Sequence, residues 1–228
     1  MRIRYVRELL SRLGVAPAGR SALVIGSVRG DLARHLAGLG LRVTAVDPSP
    51  VATRRARERD SDPGLGIRSE TAEADDLDRL GGPFDVVYCA DTLEVPDDLD
   101  RVVGAAAAVL AAGGILFYDT VTRSPLSGIV YLGLFQGLPS TRIMPPGRYT
   151  AARLRRPDEV LRALAAHGLT GEDVRGFKPG NPVDLVKAVF ARRSGRISDD
   201  GVVDLVEFVL EKPGARPVVT YLGCARRI

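Results

Sequence analysis

A chain of 228 residues, 45% hydrophobic and 26% charged, is long enough to bury one sizeable core and too apolar for a disordered or fibrous polymer. Its 32 basic and 28 acidic residues are intermixed, it has no tryptophan, and its aromatics do not interleave with basic residues, so nothing calls for a nucleic-acid partner. Cys89 and Cys224, the only cysteines, sit in apolar runs, which argues against a disulfide or a metal site and for a reducing, cytoplasmic compartment.

Residues 1–13 form a basic amphipathic stretch, unlike a signal peptide, and no apolar run reaches the length of a membrane span. Short β-rich apolar runs follow at 22–26, 41–47, 66–70, 84–90 and 115–120. They alternate with helical patterns at 30–39 and 50–59, a short turn near 75–80, and the alanine-rich 99–111 closed by Gly113-Gly114. This alternation predicts a doubly wound, Rossmann-like α/β fold, a parallel sheet covered on both faces. Residues 124–149 break the pattern with an apolar stretch (Ile129, Val130, Tyr131, Leu132, Leu134, Phe135) and an arginine- and proline-rich tail at 142–148. A lid over an apolar ligand, a peripheral membrane contact through 126–138 and a plain surface helix are all compatible with it. A helix at 157–167, a strand at 169–177 and a last strand at 218–225 complete the chain as one domain over 1–228. Between those strands, Asn181-Pro182 and Ser198-Asp199-Asp200 are N-cap signals for two inserted helices in a second lid segment, 181–212, although 202–210 also reads as a strand.

The first strand ends in Gly26-Ser27-Val28-Arg29-Gly30 and the second in Asp47, followed by Pro48. A glycine turn leading into a helix N-terminus, with a carboxylate one strand away, is the arrangement that seats a nucleotide and hydrogen-bonds its ribose. Dinucleotide oxidoreductases open in the same way, so later residues must discriminate. Phe84-Asp85-Val86-Val87, then Leu93-Glu94 with Val95-Pro96-Asp97, then Ala112-Gly113-Gly114-Ile115-Leu116 resemble the successive motifs of the class I S-adenosylmethionine (SAM) methyltransferases.

The resemblance is nearest to the O-methyltransferases of ubiquinone biosynthesis and their natural-product relatives, and it covers nearly the whole chain. It implies a seven-stranded sheet with an antiparallel final strand, helical lid insertions, and SAM as cofactor. In Arg2-Ile3-Arg4-Tyr5-Val6 it implies that Arg2 holds the SAM carboxylate. Gly26, Ser27, Gly30, Asp47 and Pro48 would frame the nucleoside, Ala72 and Glu73 would lie against adenine, and Cys89 and Ala90 under the methionine portion. Departures are expected to matter. The family's first-strand acid is Val24 and the middle glycine of its loop is Val28, where a β-branched residue resists positive φ and should lower SAM affinity. Its two histidines are replaced by Val95 and Tyr149, while His35 and His167 read as ordinary helix residues. The family's N-terminal cap helices have no counterpart, which makes 181–212 the candidate substitute lid.

Methyl transfer to an oxygen of a moderately large apolar molecule, a phenolic or polyketide intermediate of natural-product or antibiotic biosynthesis, is the activity expected. Glu94, Asp91 or Tyr149 would take or orient the proton. Two other readings stay open: the same fold catalysing a cyclisation, rearrangement or elimination, and a non-catalytic binding subunit.

Overall fold

The computed structural model describes residues 1–27, 30–60, 64–139, 141–196 and 205–228. After helix α1 (Arg2–Arg12) the chain alternates β1 (Ser21–Ile25), α2 (Asp31–Ala37), β2 (Arg42–Asp47), α3 (Pro50–Arg59), β3 (Arg68–Thr71), β4 (Phe84–Cys89), α4 (Leu99–Ala108) and β5 (Leu110–Val121). Then come α5 (Pro125–Ser127), running into a π-helical segment (Gly128–Phe135), and α6 (Pro157–Ala166), β6 (Leu169–Pro179), α7 (Pro182–Arg193), β7 (Phe208–Leu210) and β8 (Thr220–Arg227). The strands form one sheet in the order β3-β2-β1-β4-β5-β8-β6-β7. The first five are mutually parallel, and β8 enters antiparallel to both β5 and β6.

Alternation along each strand divides the core in two, because successive side chains point to opposite faces. Ala22 and Val24 of β1 face a layer built with α1 and α2, whereas Leu23 and Ile25 face one built with α4 and α6. Residues Tyr5, Val6, Leu9 and Leu10 form the apolar stripe by which α1 covers the first of these faces. Polar ties fix its end of the sheet: Tyr5 Oη donates to Asp173 Oδ2 at 2.8 Å and Arg175 Nη2 to Glu8 Oε1 at 2.6 Å. The helix thereby carries Arg2 to the carboxyl edge of the strands, where ligands bind in such sheets.

Two expectations are corrected. The sheet has eight strands, not seven, the extra one being β7, which pairs with β6 at 177–179; over 208–210 the strand alternative for 202–210 holds, not the second inserted helix. The start of that second inserted helix, 198–200, lies outside the described residues. Helix α4 stops at Ala108, short of the expected 111, because Leu110 is already paired with Phe84; entry into the sheet overrides the helix propensity of Ala111 and Ala112, and Gly113-Gly114 lie inside β5.

The insertions pack on one another. Tyr131, Leu132 and Met144 lie against Val121, Tyr149 and Leu154, while Arg192 Nη1 donates to Ile143 O at 2.5 Å and Arg193 Nη1 to Pro139 O. Among the described residues no helix is long and apolar enough to cross a membrane.

Candidate active site

At the carboxyl ends of β1 and β2, Gly26 has a φ of +80°, and a Cβ there would fall 2.3 Å from Ala90 O and 2.6 Å from Thr92 Oγ1. Glycine is therefore demanded by the loop after β4 as much as by any ligand. Gly30, with a φ of +81°, caps the N-terminus of α2. Ser27 Oγ is buried and meets no hydrogen-bond partner among the described residues, a state that a bound polar ligand relieves. Asp47 ends β2 almost buried, with Oδ1 accepting from Ser49 N at 2.9 Å, and its carbonyl accepts from Ala72 N at 3.2 Å. Pro48 and Glu73 stand exposed at the rim. Ser27, Asp47, Thr53 and Glu70 line a shallow crevice at this edge, too tight as it stands to admit a water molecule. Val28 and Arg29, where weakened affinity is expected, lie outside the described residues.

Further along the edge, two of the expected residues meet one that no motif announces. Arg2 Nη2 donates to Asp91 Oδ2 at 2.5 Å and to Asp119 Oδ1 at 2.8 Å, and its Nε lies 2.7 Å from Asp119 Oδ2. Asp119, at the end of β5 and 1% exposed, also accepts from Tyr88 Oη at 2.7 Å and from Asp91 N at 2.9 Å. Burial pushes the Asp119 carboxyl up to about 6 against the lowering pull of Arg2, with the charge of Asp91 adding to the rise. Desolvation also raises Asp91, but the charge and hydrogen bond of Arg2 reverse the effect and leave it below the ordinary aspartate range. Asp91 is thus an ion-pair partner of Arg2, and a carboxylate held in that state is a poor proton acceptor.

Glu94 differs in every respect. Its side chain is fully buried, Oε2 accepts from Thr120 Oγ1 at 2.6 Å, and Oε1 has no partner among the described residues. Burial and then the charge of Asp91 push its carboxyl up to about 8, the hydrogen bond from Thr120 opposing them. The loop carrying it is clamped by Arg155, 8% exposed, whose Nε donates to Leu93 O at 3.0 Å and whose Nη2 donates to Pro96 O at 2.6 Å and Asp97 O at 3.2 Å. Tyr149, 4% exposed, stacks edge-on against Tyr131 with centroids 5.1 Å apart, and its backbone is gripped by Gln136 through bonds of 2.7 and 3.0 Å. Burial, and next the charge of Glu94, lift its phenol to about 12. A phenol raised this far keeps its proton at neutral pH.

The remaining predicted residues lie to the side. Cys89 is packed in the core with its thiol pushed up to about 12 by burial, so only its main chain, like that of buried Ala90, reaches the edge. Exposed His35 has its Nδ1 2.7 Å from Asp31 O on α2, and His167 Nε2 is 3.1 Å from Asp100 Oδ1 on α4; among the described residues neither imidazole bonds to Asp91, Glu94 or Asp119. For Asp119 the sequence signal is a carboxylate closing an otherwise apolar strand run, Ile115-Leu116-Phe117-Tyr118, a place that charge occupies only when paired. Thr120 and Arg155 carry no comparable signal.

A parallel sheet in this order with one antiparallel strand inserted, a glycine turn and an acid at the ends of β1 and β2, and a buried acidic loop after β4 define a class I SAM-dependent methyltransferase. Residues 22–114 match the model of a methyltransferase domain. The ubiquinone biosynthesis O-methyltransferase of Xanthomonas axonopodis pv. citri (strain 306) is 31% identical over 178 residues, covering 78% of this chain and 72% of that one. That of Chelativorans sp. (strain BNC1) is 32% identical over 186 residues, covering 77% and 72%. In structure, the chain is similar to magnesium protoporphyrin IX methyltransferase from Synechocystis PCC 6803, with a TM-score of 0.64 at 16% identity over 100% of this chain and 82% of that one, a likeness of fold. The chain belongs to the family of the ubiquinone biosynthesis O-methyltransferases and is a SAM-dependent methyltransferase, with S-adenosylmethionine as its cofactor.

Proposed function

We propose that this enzyme methylates a hydroxyl oxygen of a moderately large, apolar, aromatic acceptor, a phenolic or polyketide-like intermediate of secondary metabolism, with Glu94 as the proton acceptor. The observation that carries the reading is Glu94 Oε1, a buried carboxylate oxygen without a partner among the described residues, beside the Tyr131 and Tyr149 rings, whose phenols feel its charge. Asp47 and Ser27 Oγ would hold the ribose side of the cofactor, Ala72 and Glu73 the adenine side, Arg2 the carboxylate, and the main chain at Cys89 and Ala90 the methionine portion. When bound, SAM supplies an electrophilic methyl group on a sulfonium that needs no further activation. What remains for the protein is to align the acceptor oxygen, exclude water and remove one proton. Tyr131 and Tyr149 offer apolar ring edges to an aromatic acceptor, and Thr120 and Arg155 hold Glu94 in place. The acceptor reaches the site from the cytoplasm or a membrane surface past 126–138, where Ile129 and Leu138 remain exposed.

The test is mass spectrometry of phenolic and polyketide-like acceptors incubated with the full chain and SAM. Glu94→Gln should lower kcat by about 10²- to 10⁴-fold while leaving binding of S-adenosylhomocysteine intact. Because the carboxylate must be ionised to accept a proton, wild-type kcat/KM should rise with pH through about 8, and the variant should lose that rise. Full activity in Glu94→Gln would remove the base from this scheme. An acceptor altered in structure but not in mass would replace methyl transfer with cyclisation or rearrangement.

A further inference from the structure

Asp119 uses both carboxylate oxygens and is 1% exposed, yet it sits at the strand edge rather than in mid-core. Oδ1 accepts from Arg2 Nη2 and Asp91 N, and Oδ2 accepts from Tyr88 Oη and lies 2.7 Å from Arg2 Nε. A two-point contact of this kind fixes the plane of a guanidinium and not merely its position. The bond to Asp91 N fixes something else, since Asp91 has a φ of +46° and is the one non-glycine residue at positive φ among those described. Such a conformation costs about 1 to 3 kcal/mol and persists where surrounding bonds determine it. Taking a carboxylate out of water is itself costly, and an apolar residue would pack this place with less penalty.

The result of these constraints is a pair of unlike charges presented at the edge. Arg2 Nη1 and Asp91 Oδ1 have no partner among the described residues, while their neighbouring atoms Nη2 and Oδ2 are joined at 2.5 Å. Arg2 is 31% exposed at its side chain and Asp91 48%, so both free atoms belong to groups open to a ligand. One cationic donor beside one anionic acceptor complements a zwitterion, the carboxylate and ammonium of an α-amino acid. Resting on the cofactor seat proposed above, we infer that Asp119 is a positioning residue that holds Arg2 and the Asp91 turn as a zwitterion clamp for the amino-acid end of S-adenosylmethionine. Asp119 touches no part of the ligand; it acts through its two neighbours.

A positioning role of this kind affects one end of the ligand only. Calorimetry on the full chain should compare S-adenosylhomocysteine, which has the amino-acid end, with 5′-methylthioadenosine, which lacks it. Asp119→Asn is expected to weaken S-adenosylhomocysteine by at least about tenfold, the worth of one charge-assisted bond, and to leave methylthioadenosine within about twofold. Unchanged S-adenosylhomocysteine affinity in the variant, or equal loss for both ligands, overturns the proposal, the latter by showing a general structural defect. Should Asp119→Asn fail to fold, Tyr88→Phe decides: it removes one bond to Asp119 and keeps the carboxylate. A selective weakening of S-adenosylhomocysteine in Tyr88→Phe supports the clamp, and no change overturns it. Wild-type chain that binds methylthioadenosine as tightly as S-adenosylhomocysteine overturns the clamp and leaves the nucleoside seat standing. Chain that binds neither overturns both readings.

Discussion

Glu94 and Asp119 flank one loop, and both carboxyls are raised by burial, to about 8 and about 6. The sign of the effect on stability follows from proton counting. Between the ordinary 4.5 and about 8, folded Glu94 holds a proton that the unfolded chain has released, so stability falls as pH rises through that window and is level beyond it. Asp119 adds to the fall between 3.8 and about 6. Glu94→Gln cannot ionise, so in thermal melts its unfolding midpoint should gain on wild type from about pH 5 to about pH 8 and keep a constant lead above that. A difference already constant between about pH 5 and about pH 8 would show that Glu94 is not held protonated by the fold. Gly26 teaches a different lesson at the same scale. Its glycine identity is plain in the sequence, but the atom that enforces it, Ala90 O, comes from a loop 64 positions away by subtraction of the two numbers and is visible only in the fold.

Among elements, those bounded by local chemistry match their sequence signals. Helix α3 begins behind Ser49, whose Oγ accepts from Ala52 N at 3.3 Å, and α7 behind Asn181, whose Oδ1 accepts from Val183 N at 3.1 Å. Those bounded by pairing do not: α4 is cut short by the entry of Leu110 into the sheet, and β7 exists because β6 offers an edge at Phe177, Lys178 and Pro179. The segment 128–146 is held from outside its own sequence, by the α7 arginines at Pro139 O and Ile143 O. Replacing both (Arg192→Gln with Arg193→Gln) should accelerate chymotrypsin cleavage at Tyr131 and Phe135 by about fivefold or more, the two lost bonds having released the segment. Cleavage at the wild-type rate would mean that the aromatic packing of Tyr131 on Tyr149 holds it alone.

For the molecule as a whole, β8 is the strand on which cohesion depends. It lies between β5 and β6, so without it the antiparallel third of the sheet has no neighbour to pair with, and Tyr221, Leu222 and Cys224 leave both halves of the core. A chain ending at Pro217 should show no cooperative thermal transition, whereas wild type should unfold in one; a surviving sharp transition in the truncated chain would place the folding unit upstream of β6. What the sequence by itself determined is the alternation of strands and helices, the glycine turn, Asp47 and the Leu93-Glu94 loop, because hydrophobic period, turn chemistry and motif spacing are local and survive in one dimension. The tertiary structure alone decided that Arg2 is shared between Asp91 and Asp119, that Glu94 has one oxygen unpaired among the described residues, and that Tyr149 keeps its proton. Those outcomes depend on desolvation and on charges brought together from distant parts of the chain, and both arise only once the strands have been placed side by side.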